Sequence, residues 1–314
     1  MEGEKSTPQE TMLLQPGTLW NRVKEQTDCA LAKGALVSIP TNYEFVEQDG
    51  VHFLVRVLSN LARKDAAKKE QQKKTTPSGK EFNPFLPYEE DLFVSNLSKT
   101  HVCILNKYNV VDYHLLIITR AFEEQESLLT LEDFAAMWAC LAEMDGLVFY
   151  NGGKTAGASQ RHKHLQLIPL PLTSSETQIP IAPLLLHAQF QGSVATIGKF
   201  PFANAFARLD FNGAESPITR AQTTLQCYHS LLHKVGLEDS DGVRENRQPG
   251  PYNLLVTRQW MFIVPRKQES FESIAVNSLG FAGSLFVQND EQMQILKDYG
   301  PMTILKNVAV ETSR

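Results

Sequence analysis

The sequence has no long apolar run and no excess of positive charge. None of its segments approaches the roughly 18–20 uninterrupted apolar residues that span a bilayer, and its first ten residues lack the apolar stretch of a signal peptide. Its 30 Lys and Arg residues are outnumbered by 35 Asp and Glu residues, giving a net charge of −5. Affinity for a nucleic-acid backbone comes from clustered positive charge. We therefore expect a cytoplasmic protein that binds neither membranes nor nucleic acids.

Cysteine is scarce, and repeats and low-complexity tracts are lacking. The four cysteines, Cys29, Cys103, Cys140 and Cys227, lie far apart and form no Cys-x-x-Cys pair. This spacing argues against a disulfide framework and a zinc ribbon, and we expect four buried thiols. The remaining composition, 42% hydrophobic and 21% charged, is typical of a folded globule with one large domain or two closely packed ones.

Hydrophobic periodicity predicts both helices and strands. The predicted helices cover residues 13–31, 130–144, 217–235 and 292–299, with Thr18 as one cap and Thr130 with Asp133 as a capping box. The predicted strands cover residues 35–45, 52–58, 101–106, 113–119, 147–150, 162–168, 253–257 and 261–264. A turn at 48–50 joins the first two strands as a hairpin. This mixture indicates an α+β fold whose central antiparallel sheet is built from the strands between 35 and 168.

Two segments are expected to be irregular. Residues 63–80 hold six lysines and few apolar side chains, which predicts either a solvated loop or an anion-attracting flap over a phosphate site. The proline-rich segment 170–183 is either a boundary between two parts of the chain or a strap over the first part.

The stretch 157–168 carries most of the chemical information. In a strand, alternation places His162, His164 and Gln166 on one face. The opposite face, which holds Lys163 and two leucines, can pack on the predicted helix, so the imidazoles face a cleft. A cleft imidazole can serve as a nucleophile, a general base or a metal ligand.

The loop before this strand is rich in small residues. Asn151, Gly152, Gly153, Gly157, Ala158 and Ser159 let backbone amides approach an anion, and Ser159 and Gln160 add side-chain donors. An anion-accepting loop that leads into a histidine strand indicates phosphoryl or nucleotidyl transfer. Taken singly, the two features leave other interpretations open: a polar surface, a metal-binding pair or a tight turn. No nearby cysteine or acidic residue completes a zinc site.

These residues resemble a known family. They are similar to the branch of the histidine triad superfamily that holds diadenosine tetraphosphate phosphorylases, also called ATP adenylyltransferases, and galactose-1-phosphate uridylyltransferases. In that branch Gln stands where hydrolase relatives have a third His. The segments that carry the similarity are 147–151, 157–160 and 162–166, with further ones at 83–85, 105–108, 114–119, 252–255, 260–266 and 277–287.

The resemblance implies a fold and an activity. It implies a histidine-triad-like antiparallel sheet with flanking helices in a catalytic part, 1–178, and an ATP-adenylyltransferase-like α+β part, 179–314, packed on the same cleft. It implies a reversible nucleotidyl transfer in which diadenosine tetraphosphate and phosphate give ATP and ADP. Mg²⁺ or Mn²⁺ would enter with the polyphosphate, held mainly by its oxygens, and no protein metal site is expected. The expected partners are these nucleotides, and the expected state is a monomer or homodimer.

The resemblance also assigns roles to residues. His164 would attack the α-phosphorus and carry the adenylyl group as a phosphoramidate, while His162 would orient or hydrogen-bond within the strand. Gln166 would contact the transferred phosphate, and its neutral amide suits transfer to phosphate better than hydrolysis because it supplies no acidic proton. The residues expected to bind substrate are Lys64, Asn106, Lys107, Asn151, Gly157, Ala158, Ser159, Gln160, Gln166, Asn277, Ser278, Leu279, Ser284 and Gln288.

One departure from the family motivates the rival of a regulatory protein, and two rival enzymes also stay open. Gln288 stands where relatives carry a lysine, so a cation expected near the polyphosphate is lacking, and Arg266 is the residue that could replace it. The rivals are a hexose-1-phosphate uridylyltransferase, a dinucleoside polyphosphate hydrolase and a nucleotide-binding regulatory protein without turnover.

Overall fold

A ten-stranded sheet runs through both parts of the chain in the computed structural model, which describes residues 12–58, 82–173, 177–211, 213, 215–237 and 246–312. The strands are β1 (Thr41–Gln48), β2 (Val51–Leu58), β3 (Phe93–Asn96), β4 (His101–Leu105), β5 (Leu115–Thr119), β6 (Gly146–Gly152), β7 (His164–Pro169), β8 (Ala188–Gln191), β9 (Val194–Ile197), β10 (Ala205–Arg208), β11 (Tyr252–Val256), β12 (Trp260–Pro265), β13 (Ser270–Phe271), β14 (Ile274–Ala275) and β15 (Ser284–Val287). The helices are α1 (Leu19–Ala32), α2 (Leu131–Glu143), α3 (Ala182–Leu185), α4 (Pro217–Lys234), α5 (Ser278–Phe281), α6 (Asp290–Tyr299) and α7 (Pro301–Val308).

The large sheet is antiparallel throughout and has the order β3-β4-β5-β7-β6-β11-β12-β10-β9-β8. Both of its faces are covered, and every residue of β6 is buried. Val148 and Tyr150 of β6 point into the core that contains α2 and α4, while Leu147 and Phe149 point into a second core formed with the C-terminal segments. The α+β class and the antiparallel sheet match the prediction, but the sheet also includes C-terminal strands.

The first two predicted strands lie outside the large sheet. β1 and β2 form a hairpin through Asp49 and Gly50, both at positive φ, and β2 pairs in parallel with β15 in a separate three-stranded sheet. The expectation that these strands belong to the central sheet is therefore wrong. The first strand also begins at Thr41, because the chain before it bonds to the 107–109 loop instead of a strand.

Helix α1 begins at Leu19, not at residue 13. Thr18 does not cap it, because its hydroxyl donates to the Gln15 carbonyl at 2.7 Å. The carboxylate of Glu143 caps it instead, accepting from the backbone N–H groups of Gly17 and Leu19 at 2.8 and 2.6 Å. A helix end can thus be satisfied by a side chain distant in sequence.

Other boundaries follow local chemistry. The capping box predicted for α2 is confirmed, since Thr130 and Asp133 bond reciprocally. Strand β5 begins two residues later than predicted because Tyr113 has a positive φ of 57°. The predicted last helix is α6, and α7 was missed because Gly300, at φ 83°, separates the two helices.

Two other expectations concern thiols and membranes. Cys103 and Cys140 are buried, but Cys29 is exposed and Cys227 is partly buried, so the expectation of four buried thiols is wrong for those two. Within the described ranges, no helix combines the length and apolarity needed to cross a bilayer.

Candidate active site

The two histidines of the predicted catalytic strand lie side by side at the point where β7 begins. His162 and Lys163 precede the strand, because His162 forms an isolated bridge with Glu124 and the Lys163 N–H bonds to the carbonyl of residue 123. The ring of Phe85 lies edge-on to both imidazoles, with centroid distances of 5.5 Å to His162 and 5.3 Å to His164. The two rings therefore share one side of the sheet, as alternation predicts.

His164 is held with one nitrogen free. Its Nδ1 lies 2.8 Å from the carbonyl oxygen of His162, which can only accept, so Nδ1 carries the proton. Nε2 then holds a lone pair and makes no hydrogen bond with a described residue. Burial lowers the pKa of His164 to about 4, although the bond to the His162 carbonyl opposes the shift. The imidazole is consequently neutral at pH 7 and presents Nε2 as a nucleophile.

His162 is also locked in one tautomer. Its Nε2 donates to the Thr119 carbonyl at 2.8 Å, and its Nδ1 accepts from the Asn83 amide at 3.0 Å. Burial lowers its pKa as well. The ring is fixed by these two bonds, and its backbone carbonyl orients His164, which fits the orienting role predicted for this residue.

Gln166 is oriented by a histidine that the sequence did not single out. His114 accepts at Nδ1 from the Asn106 amide at 3.1 Å and donates from Nε2 to Oε1 of Gln166 at 3.0 Å. Burial lowers the pKa of His114 to about 4, so this neutral tautomer persists at pH 7. With its oxygen occupied, Gln166 has its NH2 group available as a donor to a phosphate oxygen. Asn106, which is predicted to bind substrate, donates a hydrogen bond from its side-chain amide to His114.

The small-residue loop forms a tight turn. Gly153 and Gly157 have φ values of 88° and 92°, and the N–H of Ala158 bonds back to the Gly153 carbonyl at 3.1 Å. The backbone N–H groups of Ser159 and Gln160 make no hydrogen bond to a described residue. They are therefore available to an anion at the foot of the histidine strand.

The C-terminal part packs against this loop. A Cβ on Gly157 would lie 2.9 Å from Cβ of Asn277, so the loop and the turn at Asn277 touch. Asn277 caps α5 by accepting from the N–H of Leu279, whose side chain lies in the core. Asn277 and Ser284 line one small depression, while Gln288 is exposed just after β15.

Asn151 and Ser278 are buried in a polar network that joins the two parts. Oδ1 of Asn151 accepts from the Ser278 hydroxyl and N–H and from the Asn253 amide, at 2.7 to 2.9 Å. The Nδ2 group of Asn151 makes no hydrogen bond with a described residue. Ser278 fixes the turn through these bonds, and the two amide protons of Asn151 are not used by the network.

Arg266 does not replace the lysine that is lacking at position 288. Its guanidinium is buried and donates to the carbonyls of Val308, Val276, Gln268 and Glu269 and to the Asn253 side chain. Every N–H is engaged, so none is left for a phosphate. Burial lowers the pKa of Arg266 to about 9, and it remains charged at pH 7. Its hydrogen bonds join several C-terminal segments to one another.

Of the two lysines predicted to bind substrate, only Lys107 lies in the described part of the chain. Lys107 is partly exposed and pairs with Glu89 at 2.5 Å, close to Asn106. Lys64 and the lysine-rich segment 63–80 lie outside the described residues. The substrate contacts assigned to these and the other residues above stay predictions.

Behind the histidines lie two sets of buried polar contacts that the sequence does not predict. Lys163 is fully buried on the helix side of the sheet and pairs with Asp133 at 2.5 Å, which also bonds to His101 at 3.0 Å. The hydrogen bond from His101 and the charge of Lys163 hold the pKa of Asp133 at about 2 against the effect of burial. Gln125, buried in the segment between β5 and α2, bonds to the backbone of His164. Because Gln125 is a polar residue outside any predicted helix or strand, no pattern in the sequence indicates that it is buried.

The two parts of the chain match two family models. Residues 9–187 match the Ap4A phosphorylase N-terminal domain, and residues 198–311 match the ATP adenylyltransferase C-terminal domain. A relative from Saccharomyces cerevisiae, diadenosine 5',5'''-P1,P4-tetraphosphate phosphorylase 2, is 28% identical over 275 residues, which are 80% of this chain and 81% of the relative.

Crystal structures of a yeast protein share the fold. Yeast Ap4A phosphorylase Apa2 superposes with a TM-score of 0.76 at 21% identity, covering 96% of this chain and 97% of that one. The same protein in complex with Ap4A gives a TM-score of 0.74 at 20% identity, covering 96% and 100%. The predicted α+β class is thereby confirmed.

Proposed function

The chain belongs to the Ap4A phosphorylase family of nucleotidyltransferases, and from this premise we propose that it splits diadenosine tetraphosphate with inorganic phosphate into ATP and ADP. The observation that carries the proposal is the state of His164. A buried, neutral imidazole holds its proton on Nδ1 and leaves Nε2 open beside an anion-accepting loop.

In the first step, the lone pair of Nε2 attacks the α-phosphorus of one adenylyl group. The N–P bond forms as the bond from that phosphorus to the bridging oxygen breaks, and ATP leaves with the electron pair. The ring gains positive charge, which the Nδ1–H bond to the His162 carbonyl stabilises. No proton has to move, because the nucleophile is already neutral.

In the second step, an oxygen of inorganic phosphate attacks the same phosphorus. The N–P bond breaks, its electrons return to Nε2, and ADP is released. The reverse sequence makes diadenosine tetraphosphate from ATP and ADP. Gln166 supports both steps as a neutral donor whose direction is fixed by His114, and it has no acidic proton with which to favour hydrolysis.

Phosphate oxygens would be bound by backbone and amide donors. The free N–H groups of Ser159 and Gln160 and the Nδ2 group of Asn151 are suited to this, since they are fixed before substrate arrives. We propose that Mg²⁺ or Mn²⁺ enters with the polyphosphate as part of the substrate, bound by its hard oxygens. In the described part of the chain, no three His, Cys, Asp or Glu side chains are grouped to hold a metal.

The experiment incubates the protein with diadenosine tetraphosphate and Mg²⁺, with and without phosphate, and separates the products by anion exchange. Equal ATP and ADP should accumulate only with phosphate, and without it each enzyme molecule should release one ATP. His164→Ala should abolish both reactions, while His187→Ala, which changes an exposed histidine in another part of the fold, should not. Turnover without phosphate would indicate a hydrolase, and no product in either mixture would refute the proposal.

A further inference from the structure

On the side that faces β6, the backbone of the proposed nucleophile is held by one side chain instead of by strand pairing, whereas on the other side His164 pairs with Ile118 of β5. β6 and β7 pair from Gly146 opposite Pro169 to Phe149 opposite Gln166. Continuing this register would place Asn151 opposite His164. The ladder stops before that pair is reached, so the N–H of His164 and the carbonyl of Asn151 need other partners.

The carboxamide of Gln125 fills the gap. Its Oε1 accepts from the N–H of His164 at 2.9 Å, and its Nε2 donates to the carbonyls of Asn151 and His164 at 3.0 and 3.2 Å. One side chain thus satisfies both backbone groups of His164 and ties them to β6. A flipped amide would set donors against donors and acceptors against acceptors, so the three bonds define its orientation.

Gln125 is itself held firmly. Its side chain is buried at 2% exposure, its N–H donates to the carbonyl of Arg161 at 2.6 Å, and its carbonyl accepts from the buried hydroxyl of Tyr150. Tyr150 lies in β6 and Arg161 lies just before β7, so the two partners come from the two sides of the gap. Because the backbone of Gln125 is fixed on both sides and its side chain is buried, the amide can hold His164 in one position.

We infer that Gln125 is the positioning residue that fixes the backbone of His164 for adenylyl transfer, by inserting its amide where β6 and β7 separate. The separation lets the small-residue loop leave the sheet beside the nucleophile, while the amide keeps His164 in place. This inference rests on the proposed function. Removing the amide should displace Nε2 from its line of attack without removing any group that binds nucleotide.

The chain contains a matched control for this side chain. Asn204 is buried at 4% exposure in the far part of the sheet. Its Oδ1 accepts from the N–H of Ile197 at 2.9 Å, and its Nδ2 donates to the carbonyls of Ile197 and Phe202 at 3.3 and 2.9 Å. The two amides therefore make the same kinds of bond, but Asn204 lies away from the histidines. Equal losses of stability are expected from Gln125→Met and Asn204→Leu.

The test measures single-turnover ATP release from diadenosine tetraphosphate and, separately, the Kd for AMP. Gln125→Met should lower the rate constant about 10- to 100-fold, as small misplacements of reacting groups do, with the Kd for AMP changed less than about threefold. Asn204→Leu should lose similar thermal stability and keep the wild-type rate. All variants are compared at a temperature where circular dichroism shows each to be folded.

The outcomes separate the inference from the proposed function. If wild-type protein releases no ATP, both fail. If wild-type protein releases ATP and Gln125→Met matches it, or if Asn204→Leu slows equally, only the inference fails. Gln125→Glu, which keeps the acceptor for His164 but loses both donors, is the second variant. If neither Gln125 variant folds, the residue is required for folding and the positioning role is overturned.

Discussion

Acidification to pH 5.5 should leave adenylyl transfer almost unchanged. Burial lowers the pKa of His164 from 6.5 to about 4, so about 97% of the imidazole stays neutral at pH 5.5, whereas an ordinary imidazole would be about 9% neutral. The neutral form is the nucleophile, and activity is therefore present above the folded pKa and lost as the pH falls through about 4. His114, with its pKa also lowered to about 4, keeps Gln166 oriented over the same range.

The assay is single-turnover ATP release from diadenosine tetraphosphate between pH 4.5 and 8 without phosphate. This substrate has no terminal phosphate to titrate near neutrality. Unfolded imidazoles gain protons at a higher pH than His164 and His114, so each should lower the stability by about 1–1.5 kcal/mol at pH 5.5. Circular dichroism at each pH checks the fold. A loss of roughly eightfold between pH 7 and 5.5, as an unshifted pKa requires, would refute the reasoning if the protein stays folded.

Three substitutions, one of them with a control variant, test other parts of the structure. His114→Phe should lower kcat/KM about 30-fold, because a half-buried Gln166 amide loses a donor worth about 2 kcal/mol; a change below threefold in steady-state kinetics would contradict this. Lys163→Met should lower the free energy of unfolding in urea by about 3 kcal/mol by taking the lysine cation from a buried carboxylate, whereas Arg161→Met, whose ion pair is exposed, should lower it by less than about 1 kcal/mol; similar losses would argue against a buried pair. Gly157→Ala should reduce both the melting temperature and ATP release, because its Cβ would lie 2.9 Å from the neighbouring turn at φ 92°; wild-type values in both assays would show that the contact can relax.

Much of the site was predictable because its signals are local. Alternation along one strand placed His162, His164 and Gln166 on a common face, and the glycines before them predicted a tight loop. The capping box at Thr130 fixed the start of α2 within one residue. Each of these patterns depends on neighbours within a few positions, which a single sequence displays directly.

The partners of those residues were not predictable, because they come from distant segments. His114 lies 52 residues from Gln166, and Gln125 lies 39 residues from His164. Lys163 was expected on the helix side of the sheet, but nothing in its strand indicated the buried carboxylate of Asp133. Periodicity also assigned β1 to the wrong sheet, since alternation defines the faces of a strand and not its neighbours.

Because β6 pairs with strands from both parts of the chain, the two parts should not be soluble when they are produced separately. β6 bonds to β7 on one side and to β11 on the other, where Asn151 lies opposite Asn253. A chain cut near residue 187 would bare one whole edge of β6 together with the apolar side that holds Phe149. The unpaired N–H and C=O groups of an exposed strand edge tend to pair with other chains, which leads to aggregation. Half-length products should therefore precipitate when made singly and regain solubility only when both halves are synthesised together.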